Sequence, residues 1–327
     1  MGVKSREESN PAVDPANAAF RTIMGAMGER DESNPLRGFM PTPPDPRDIE
    51  DRPLAFRHGG VAMNFERSRI MGVLNVTPDS FSDGGRYLDA EAAIAHALRM
   101  AGEGADVIDI GGESTRPGSA AVDAAEEWAR IEPVVRGLAG KIHIPVSIDT
   151  AKPAVAAKAV AAGASILNDV TGLRDPAMRA LVAKEHLGAV IMHMKGDPRT
   201  MQEDLEYGDV VEEIHEFFEE RIDLCEEDGI PLDRLMIDPG IGFGKTVEHN
   251  LEILQRLDEF TDLDVPLLVG TSRKSFLGKI ADGETDDRLP ASLASAVAAV
   301  LAGANIIRVH EVAPHVQALR IVDALLG

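Results

Sequence analysis

Residues 70–85 read IMGVLNVTPDSFSDGG, an apolar run that stops at Asn75 and continues into a polar loop with a glycine pair. An uninterrupted apolar run is typical of a strand that is buried on both faces, as in a parallel sheet covered by helices. The proline and the glycines that follow predict a loop at the carboxyl end of this strand. A single loop of this kind is more often an ordinary strand-to-helix turn than a site.

The same pattern recurs along the chain. Eight strand-like runs are predicted at Ile70–Asn75, Val107–Gly111, Pro145–Asp149, Ile166–Asp169, Ala189–Met192, Leu235–Asp238, Pro266–Gly270 and Ile306–Val309. Helical stretches follow them at roughly 90–103, 123–139, 153–162, 177–185, 208–228, 248–257, 290–302 and 313–326. Eight β-then-α units in about 255 residues predict an α/β fold of the (β/α)8 TIM barrel type. An open doubly wound sheet is the alternative, but it usually has fewer strands, and no Gly-x-Gly-x-x-Gly follows the first strand.

The amino-terminal part of the chain differs in composition. Residues 1–53 are rich in proline, acidic residues, asparagine and arginine, which predicts an extension or linker outside the barrel domain of residues 54–327. Two short runs, Leu54–Arg57 and Val61–Phe65, flank His58-Gly59-Gly60 and predict a β-hairpin before the first barrel strand.

Charge and cysteine content limit the function classes. The chain has 33 basic and 55 acidic residues, a net charge of -22, which argues against nucleic acid and anionic membranes as partners and resembles the composition of salt-adapted proteins. Cys225 is the single cysteine and lies on the apolar stripe of a predicted helix, so it excludes an internal disulfide and is expected in the core. The chain has no apolar run of membrane-span length and no signal-peptide core, so we expect a cytoplasmic protein.

Polar residues mark the carboxyl end of every predicted strand, where the active sites of TIM barrels lie. They are Asn75, Asp109 with Glu113, Thr115 and Arg116 beyond it, Asp149, Asn168, Asp169, His193, Asp238, Ser272, Arg273, Lys274, Arg308 and His310. One such residue is more often a helix cap. A full ring of them predicts a binding site.

Two kinds of group occur in this ring. Two carboxylates and an amide, together with Lys274, suit a flat heterocycle that offers amino and ring N–H donors and a carbonyl acceptor; they are Asp149, Asn168 and Asp238. A second set suits a phosphate or diphosphate and consists of Asn75, Arg116, Arg308 and His310. The nine histidines show no ligand-type cluster, so a metal site made by protein alone is not indicated.

The stretch DPGIGFGKT at 238–246 invites a nucleotide-binding interpretation that fails on spacing. A P-loop needs glycine five positions before Gly244, where this chain has Pro239, and the third glycine of a dinucleotide fingerprint would fall on Lys245. We therefore interpret the stretch as a tight loop whose glycines let the backbone approach a ligand, with Phe243 as an aromatic wall.

Taken together, these motifs resemble those of dihydropteroate synthases. The matching stretches keep the order of that family over residues 54–327 and lie at 72–85, 111–118, 147–150, 192–196, 238–245, 272–275 and 308–310. The resemblance implies a barrel enzyme of folate biosynthesis. Such an enzyme joins 6-hydroxymethyl-7,8-dihydropterin diphosphate to 4-aminobenzoate with Mg2+ and releases pyrophosphate, and the resemblance also implies a homodimer.

The resemblance also implies residue roles. The pterin contacts would come from Asp149, Asn168, Asp238 and Lys274. Asn75, Arg308 and His310 would hold the diphosphate, with Asn75 near the Mg2+ ion. The aminobenzoate pocket would be formed by Phe81, Thr115, Arg116, Pro117, Phe243 and Ser272. Within this set, the residues expected to be catalytic are Asp149, Lys274, Arg116 and Thr115.

Two rival functions share part of this pattern. A pterin-binding methyltransferase barrel would need the acidic clamp but has no need of an anion site with Arg308 and His310. A non-catalytic pterin-binding module would not need Asn75, Arg116 and His310.

Overall fold

The computed structural model of the protein describes residues 55–77, 86–114, 121–196, 200–201, 205–281 and 288–326. A two-stranded antiparallel hairpin, β1 (Ala55–His58) and β2 (Val61–Asn64), precedes an eight-stranded parallel sheet. The strands of that sheet are β3 (Arg69–Asn75), β4 (Val107–Gly111), β5 (Val146–Asp149), β6 (Ile166–Asp169), β7 (Gly188–Met192), β8 (Leu235–Asp238), β9 (Leu268–Val269) and β10 (Ile306–Val309). The predicted TIM barrel with an amino-terminal hairpin is thereby confirmed.

Helices follow these strands in turn. The described helices are α1 (Arg86–Glu103), α2 (Ala124–Leu138), α3 (Pro153–Ala161), α4 (Pro176–Glu185), α5 (Val210–Glu227), α6 (Val247–Gln255), α7 (Ser275–Ala281), α8 (Leu289–Leu301) and α9 (Val312–Leu326). Helix α7 was not predicted. None of the helices that the structure describes is long and apolar enough to cross a bilayer.

The sheet closes on itself. Neighbouring strands follow the chain from β3 to β8, β10 pairs with both β3 and β9, and a parallel bridge between Ile237 and Leu267 joins the two remaining edges. At this seam the N–H of Ile237 donates to the carbonyl oxygen of Pro266 over 3.0 Å. Strand β9 is shorter than the predicted Pro266–Gly270, because only Leu268 and Val269 pair in register with β10.

The hairpin closes the amino-terminal end of the barrel. Phe56 of β1 is fully buried in one cluster with the first inward-facing side chains of the barrel strands, among them Met71, Val107 and Met236. The ring of His58 lies 3.1 Å from the hydroxyl of Ser165, which fastens the hairpin to the turn before β6. The barrel's opposite end is therefore the one available to a ligand.

Apolar stripes attach the helices to the sheet. In α5 the stripe consists of Val210, Val211, Ile214, Phe218, Ile222 and Cys225, all buried. The core position predicted for Cys225 is confirmed, and burial raises the pKa of its thiol to about 12. Asp209 caps the start of this helix by accepting hydrogen bonds from the N–H groups of Val211 and Glu212.

Candidate active site

A pocket lies at the carboxyl ends of the strands and brings together the residues predicted to bind the heterocycle. It is lined by Asp149, Asn168, Val170, Met192, Asp238, Ile241, Phe243, Gly270, Lys274 and Arg308. The apolar members supply flat walls, and the polar members come from β5, β6, β8 and β10 and from the loop after β9. Such a mixture of apolar walls and a few convergent polar groups is typical of small-molecule sites.

Arg308 crosses the barrel interior and joins two carboxylates. Its Nε donates to Asp109 Oδ2 over 2.7 Å, and its Nη2 donates to Asp149 Oδ2 over 2.8 Å. The side chain of Asp109 is fully buried and that of Asp149 is 10% exposed. The sequence led us to expect Arg308 at a diphosphate, but these contacts show a further role at the base of the pocket.

Asp109 also orients Asn168. The amide Nδ2 of Asn168 donates to Asp109 Oδ2 over 3.0 Å, which turns the amide oxygen the other way. That oxygen is buried and has no hydrogen-bond partner among the described residues. A buried acceptor without a partner is a candidate for a ligand donor, and Asn168 lines the pocket.

Burial raises the pKa values of two carboxyl groups in the pocket and lowers the pKa of one lysine. Desolvation raises the pKa of Asp149 to about 7 although the Arg308 charge opposes it, and the neighbouring Asp109 adds to the rise. Desolvation raises the pKa of Asp238 as well, against the hydrogen bond that its Oδ1 accepts from Gly240 N–H. Burial lowers the pKa of Lys274 to about 8, against the attraction of Asp238. The pocket therefore contains one acid, Asp149, and one base, Lys274, that change charge near neutral pH.

Lys274 lies against the aromatic wall of the pocket. Its Nζ is 3.9 Å from the centroid of the Phe243 ring, a cation–π contact that attracts the ammonium group to the ring face. Phe243 belongs to the loop after β8, whereas Lys274 belongs to the loop after β9. The contact thus joins loops on the two sides of the seam.

The glycine-rich loop does not act as a phosphate cradle. Lys245 is buried, and its Nζ donates to the carbonyl oxygens of Gly240 at 3.1 Å and Phe243 at 3.0 Å. Its ammonium group faces the interior of its own loop. The rejection of a P-loop on spacing agrees with this arrangement.

Ser272 and His310 lie together at the ends of β9 and β10. The Ser272 hydroxyl accepts a hydrogen bond from His310 N–H at 3.2 Å and lies 3.1 Å from His310 Nδ1. Asn75 ends β3, and the register places Gly111 between Asn75 and Asp149. A Cβ at Gly111 would lie 3.5 Å from the Asn75 amide oxygen and from the Asp149 Cβ, so glycine leaves space between those side chains.

Four predicted site residues lie outside the described residues: Phe81, Thr115, Arg116 and Pro117. The structure does describe both flanks of residues 115–120. Glu113 accepts a hydrogen bond from Val122 N–H at 2.9 Å and forms an ion pair with Lys152 at 2.5 Å. Lys152 also pairs with the buried Glu127, so the flanks are tied to α2 and to the end of β5.

Sequence reasoning missed two residues of this region. Asp109 was noted as a strand-end carboxylate, but its task of holding both Arg308 and Asn168 was not foreseen. Lys245 was considered only as a failed P-loop lysine. The signal for Asp109 was a charged residue inside an otherwise apolar strand, which predicts a buried partner of opposite charge.

Comparison with known proteins places this geometry in a family. The family model of the pterin binding enzymes matches residues 71–310. A dihydropteroate synthase of Escherichia coli is 46% identical over 268 residues, which cover 82% of this chain and 95% of that protein.

Two solved structures extend the similarity to the fold. The dihydropteroate synthase of Xanthomonas albilineans with 4-aminobenzoic acid is 45% identical, has a TM-score of 0.79 and is matched over 84% of this chain and 98% of its own. The enzyme of Yersinia pestis in complex with a sulfonamide drug is 44% identical, has a TM-score of 0.78 and is matched over 83% and 98%. The chain therefore belongs to the pterin-binding enzyme family, and these relatives within it are dihydropteroate synthases.

Proposed function

We propose that the chain condenses 6-hydroxymethyl-7,8-dihydropterin diphosphate with 4-aminobenzoate to give 7,8-dihydropteroate and pyrophosphate. The observation that carries this function is the convergence of Asp149, Asn168, Asp238 and Lys274 on one pocket at the carboxyl end of the barrel. Three acceptor side chains beside a cationic donor match the edge of a pterin, which has an amino group, ring N–H groups and a carbonyl.

Each polar residue then has a task toward the pterin. Asp238 is assigned a pair of hydrogen bonds from the amino group and the adjacent ring N–H, and its Oδ1 also accepts from Gly240 N–H over 2.8 Å. Asn168 offers the amide oxygen that Asp109 has turned away from itself. Lys274 donates to the carbonyl or to a ring nitrogen, and Phe243, Ile241 and Met192 pack on the ring faces.

The diphosphate is assigned to Asn75 and His310, with the positive charge of Arg308 behind them. Mg2+ fits this set, because its protein ligands at phosphate sites are usually one or two oxygens while the phosphates and waters supply the rest. The amide oxygen of Asn75 would be such a ligand, and the described residues contain no cluster of three or more His, Cys, Asp or Glu that could hold a metal on their own. When bound, Mg2+ would neutralise charge on the leaving diphosphate.

The chemistry needs charge placement more than a nucleophile from the protein. The bond between the pterin methylene carbon and the diphosphate oxygen breaks, and the departing oxygen keeps the electron pair. The positive charge left on the methylene is shared with the ring, where the Asp149 carboxylate stabilises it. The neutral amine of 4-aminobenzoate then forms the new C–N bond and releases a proton to solvent.

The aminobenzoate pocket is assigned to the outer side of the same site. Phe243 and Ser272 are its described members, and the assignment adds Phe81, Thr115, Arg116 and Pro117 from the loops after β3 and β4. Thr115 and Arg116 are assigned to the catalytic group with Asp149 and Lys274. A sulfonamide presents a similar aniline to this pocket, so we expect it to compete with 4-aminobenzoate, and the sulfonamide complex of the Yersinia pestis relative supports this.

We further propose that the protein is a cytoplasmic homodimer. The apolar residues at the end of α9 that remain exposed, Ile321, Leu325 and Leu326, supply a surface of the kind that a second copy covers. Light scattering on the purified chain tests the dimer, and Ile321→Glu should shift it to the monomer.

The reaction itself is the decisive experiment. The protein is mixed with the pterin diphosphate, 4-aminobenzoate and Mg2+, and both dihydropteroate and pyrophosphate are measured. Asp238→Asn should abolish product, since an amide nitrogen would face the donors of the ligand. Pterin binding without condensation would instead support a methyltransferase barrel or a non-catalytic module.

A further inference from the structure

Lys245 is a buried lysine with no direct carboxylate partner among the described residues, and burial lowers the pKa of its amine to about 7. It is 5% exposed, and none of the ion pairs formed by the described residues includes it. Its Nζ lies 3.1 Å from Gly240 O, 3.0 Å from Phe243 O, 3.4 Å from His193 O and 3.0 Å from His193 Nδ1. Burying the amine of a lysine is costly, so a position that keeps one against three backbone carbonyl oxygens and an imidazole nitrogen points to a task beyond stability.

The contacts of Lys245 reach both working parts of the pocket. Gly240, whose carbonyl it binds, donates its N–H to Asp238 over 2.8 Å. Phe243, whose carbonyl it also binds, carries the ring that lies against Lys274. One side chain thus sets the backbone that orients a pterin acceptor and the backbone that carries the aromatic wall.

The same side chain joins this loop to the loop after β7. Gly240 has φ +66°, and a Cβ there would lie 2.0 Å from the carbonyl oxygen of His193, so the two backbones meet closely. The Nζ of Lys245 lies between them, 3.0 Å from His193 Nδ1. Burial and the nearby lysine lower the pKa of His193 well below its usual value, which keeps the ring neutral and able to accept.

We propose that Lys245 is a positioning residue for the pterin pocket, which holds Gly240 against Asp238 and Phe243 against Lys274 while it fixes the tautomer of His193. The proposal rests on the proposed function, because it assigns Lys245 to the fit of the pterin and the aminobenzoate. Lys245 itself touches neither substrate.

Lys245→Met tests this, since it keeps the length of the side chain and removes its charge and donors. We expect a dissociation constant for hydroxymethyl pterin at least about tenfold higher, and higher KM values for both substrates with kcat changed much less, because the lost interaction serves both ground state and transition state. Lys245→Arg should not rescue binding, since a guanidinium group is too large for a space bounded by three carbonyls and a ring.

Lys195→Met is the matched control. Lys195 lies on the loop after β7, donates to the Glu206 carbonyl oxygen and lies 4.8 Å from the centre of the Tyr207 ring, so it also fastens this region without reaching Gly240 or Phe243. We expect its loss to leave both KM values within about twofold. Equal effects of the two variants would mean general loosening of the loops and would overturn the proposal, as would unchanged KM values in Lys245→Met.

A measurement on the wild-type protein remains decisive if Lys245→Met does not fold. Nitrogen NMR of labelled histidine should find His193 protonated at Nε2 and unprotonated at Nδ1, since Nδ1 accepts from Lys245. A proton on Nδ1 would refute the proposed contact. Neither this spectrum nor calorimetry with hydroxymethyl pterin requires turnover, so a failure of the condensation reaction would count against the proposed function alone.

Discussion

Arg308 forms ion pairs with two carboxylates, Asp109 and Asp149, and its positive charge offsets the repulsion between them. Without its guanidinium group, Asp109 and Asp149 would be neighbouring buried acids with no cation between them. We therefore expect Arg308→Ala to destabilise the fold by about 3–5 kcal/mol and to weaken the binding of hydroxymethyl pterin both with and without its diphosphate. Calorimetry with the two ligands and denaturant unfolding measure these effects.

Arg57→Ala is the control for that variant, because Arg57 pairs with Asp233 at the surface and is 54% exposed. A surface pair contributes about 0–1 kcal/mol, so its removal should change little. A loss confined to the diphosphate form in Arg308→Ala would show that the carboxylate contacts do not shape the pterin site.

The pH dependence follows from Asp149 and Lys274. The pKa of Asp149 is raised to about 7, so its carboxylate charge forms as the pH rises through that value, and the activity should rise with it. The pKa of Lys274 is lowered to about 8, so its positive charge is lost above that value and the activity should fall. A pH profile of kcat/KM should therefore be bell-shaped, with limbs near these values.

Stability should move in the opposite direction over the acid limb. A carboxyl group with a raised pKa in the folded state contributes stability that is complete below its unfolded pKa and is lost as the pH rises through the folded value. Asp149→Asn removes this dependence, so the melting temperature of the variant should decline less between pH 5 and about 7.5 than that of the wild type. Melting temperatures that decline equally in Asp149→Asn and in the wild type would contradict the raised pKa of Asp149.

Residues at strand ends could be predicted from the sequence, because the polar residue that ends an apolar run marks the end of the strand. Asn75, Asp149, Asn168 and Asp238 were found in this way, and the structure brings the last three together. The pairing of Arg308 with Asp109 joins residues 199 positions apart, and no local pattern encodes such a distance. The contact of Lys245 with His193 was missed for the same reason, since each residue has an ordinary local context.

The hairpin of β1 and β2 is expected to contribute to the stability of the barrel and not to substrate binding. Its Phe56 is fully buried at the amino-terminal end of the barrel, so Phe56→Ala should cost about 3–5 kcal/mol of stability through lost contacts and a cavity. The pocket lies at the other end, and KM values should therefore be unchanged. Denaturant unfolding and steady-state kinetics check both statements, with Val61→Ala as the control because Val61 is 59% exposed. A stability equal to that of wild type would show that the hairpin is dispensable.

Other elements show where periodicity is a sufficient guide. Strands β4, β6, β8 and β10 have the predicted bounds, since each is a short apolar run with clear ends. Strand β9 shrank to Leu268–Val269 because the register of a closing sheet, and not the apolar run, decides which residues pair. Helix α7 escaped notice because its seven residues give too few turns for an apolar stripe to stand out.

The net charge of -22 causes electrostatic self-repulsion throughout the molecule. Self-repulsion weakens as the screening length falls from about 10 Å at 0.1 M salt to about 3 Å at 1 M. We expect the melting temperature to rise over this range in sodium chloride, with potassium chloride giving the same rise. A flat or falling melting temperature would mean that the acidic excess has no bearing on stability.

The seam between β8 and β9 gives the proposed pterin site a second consequence. A single bridge, Ile237 to Leu267, closes the sheet there, whereas the other neighbouring strands share longer ladders. Asp238 ends the strand on one side of this seam, and Lys274 follows the strand on the other. In the proposed function a pterin contacts both side chains, so we expect its binding also to stabilise the closure of the barrel between β8 and β9.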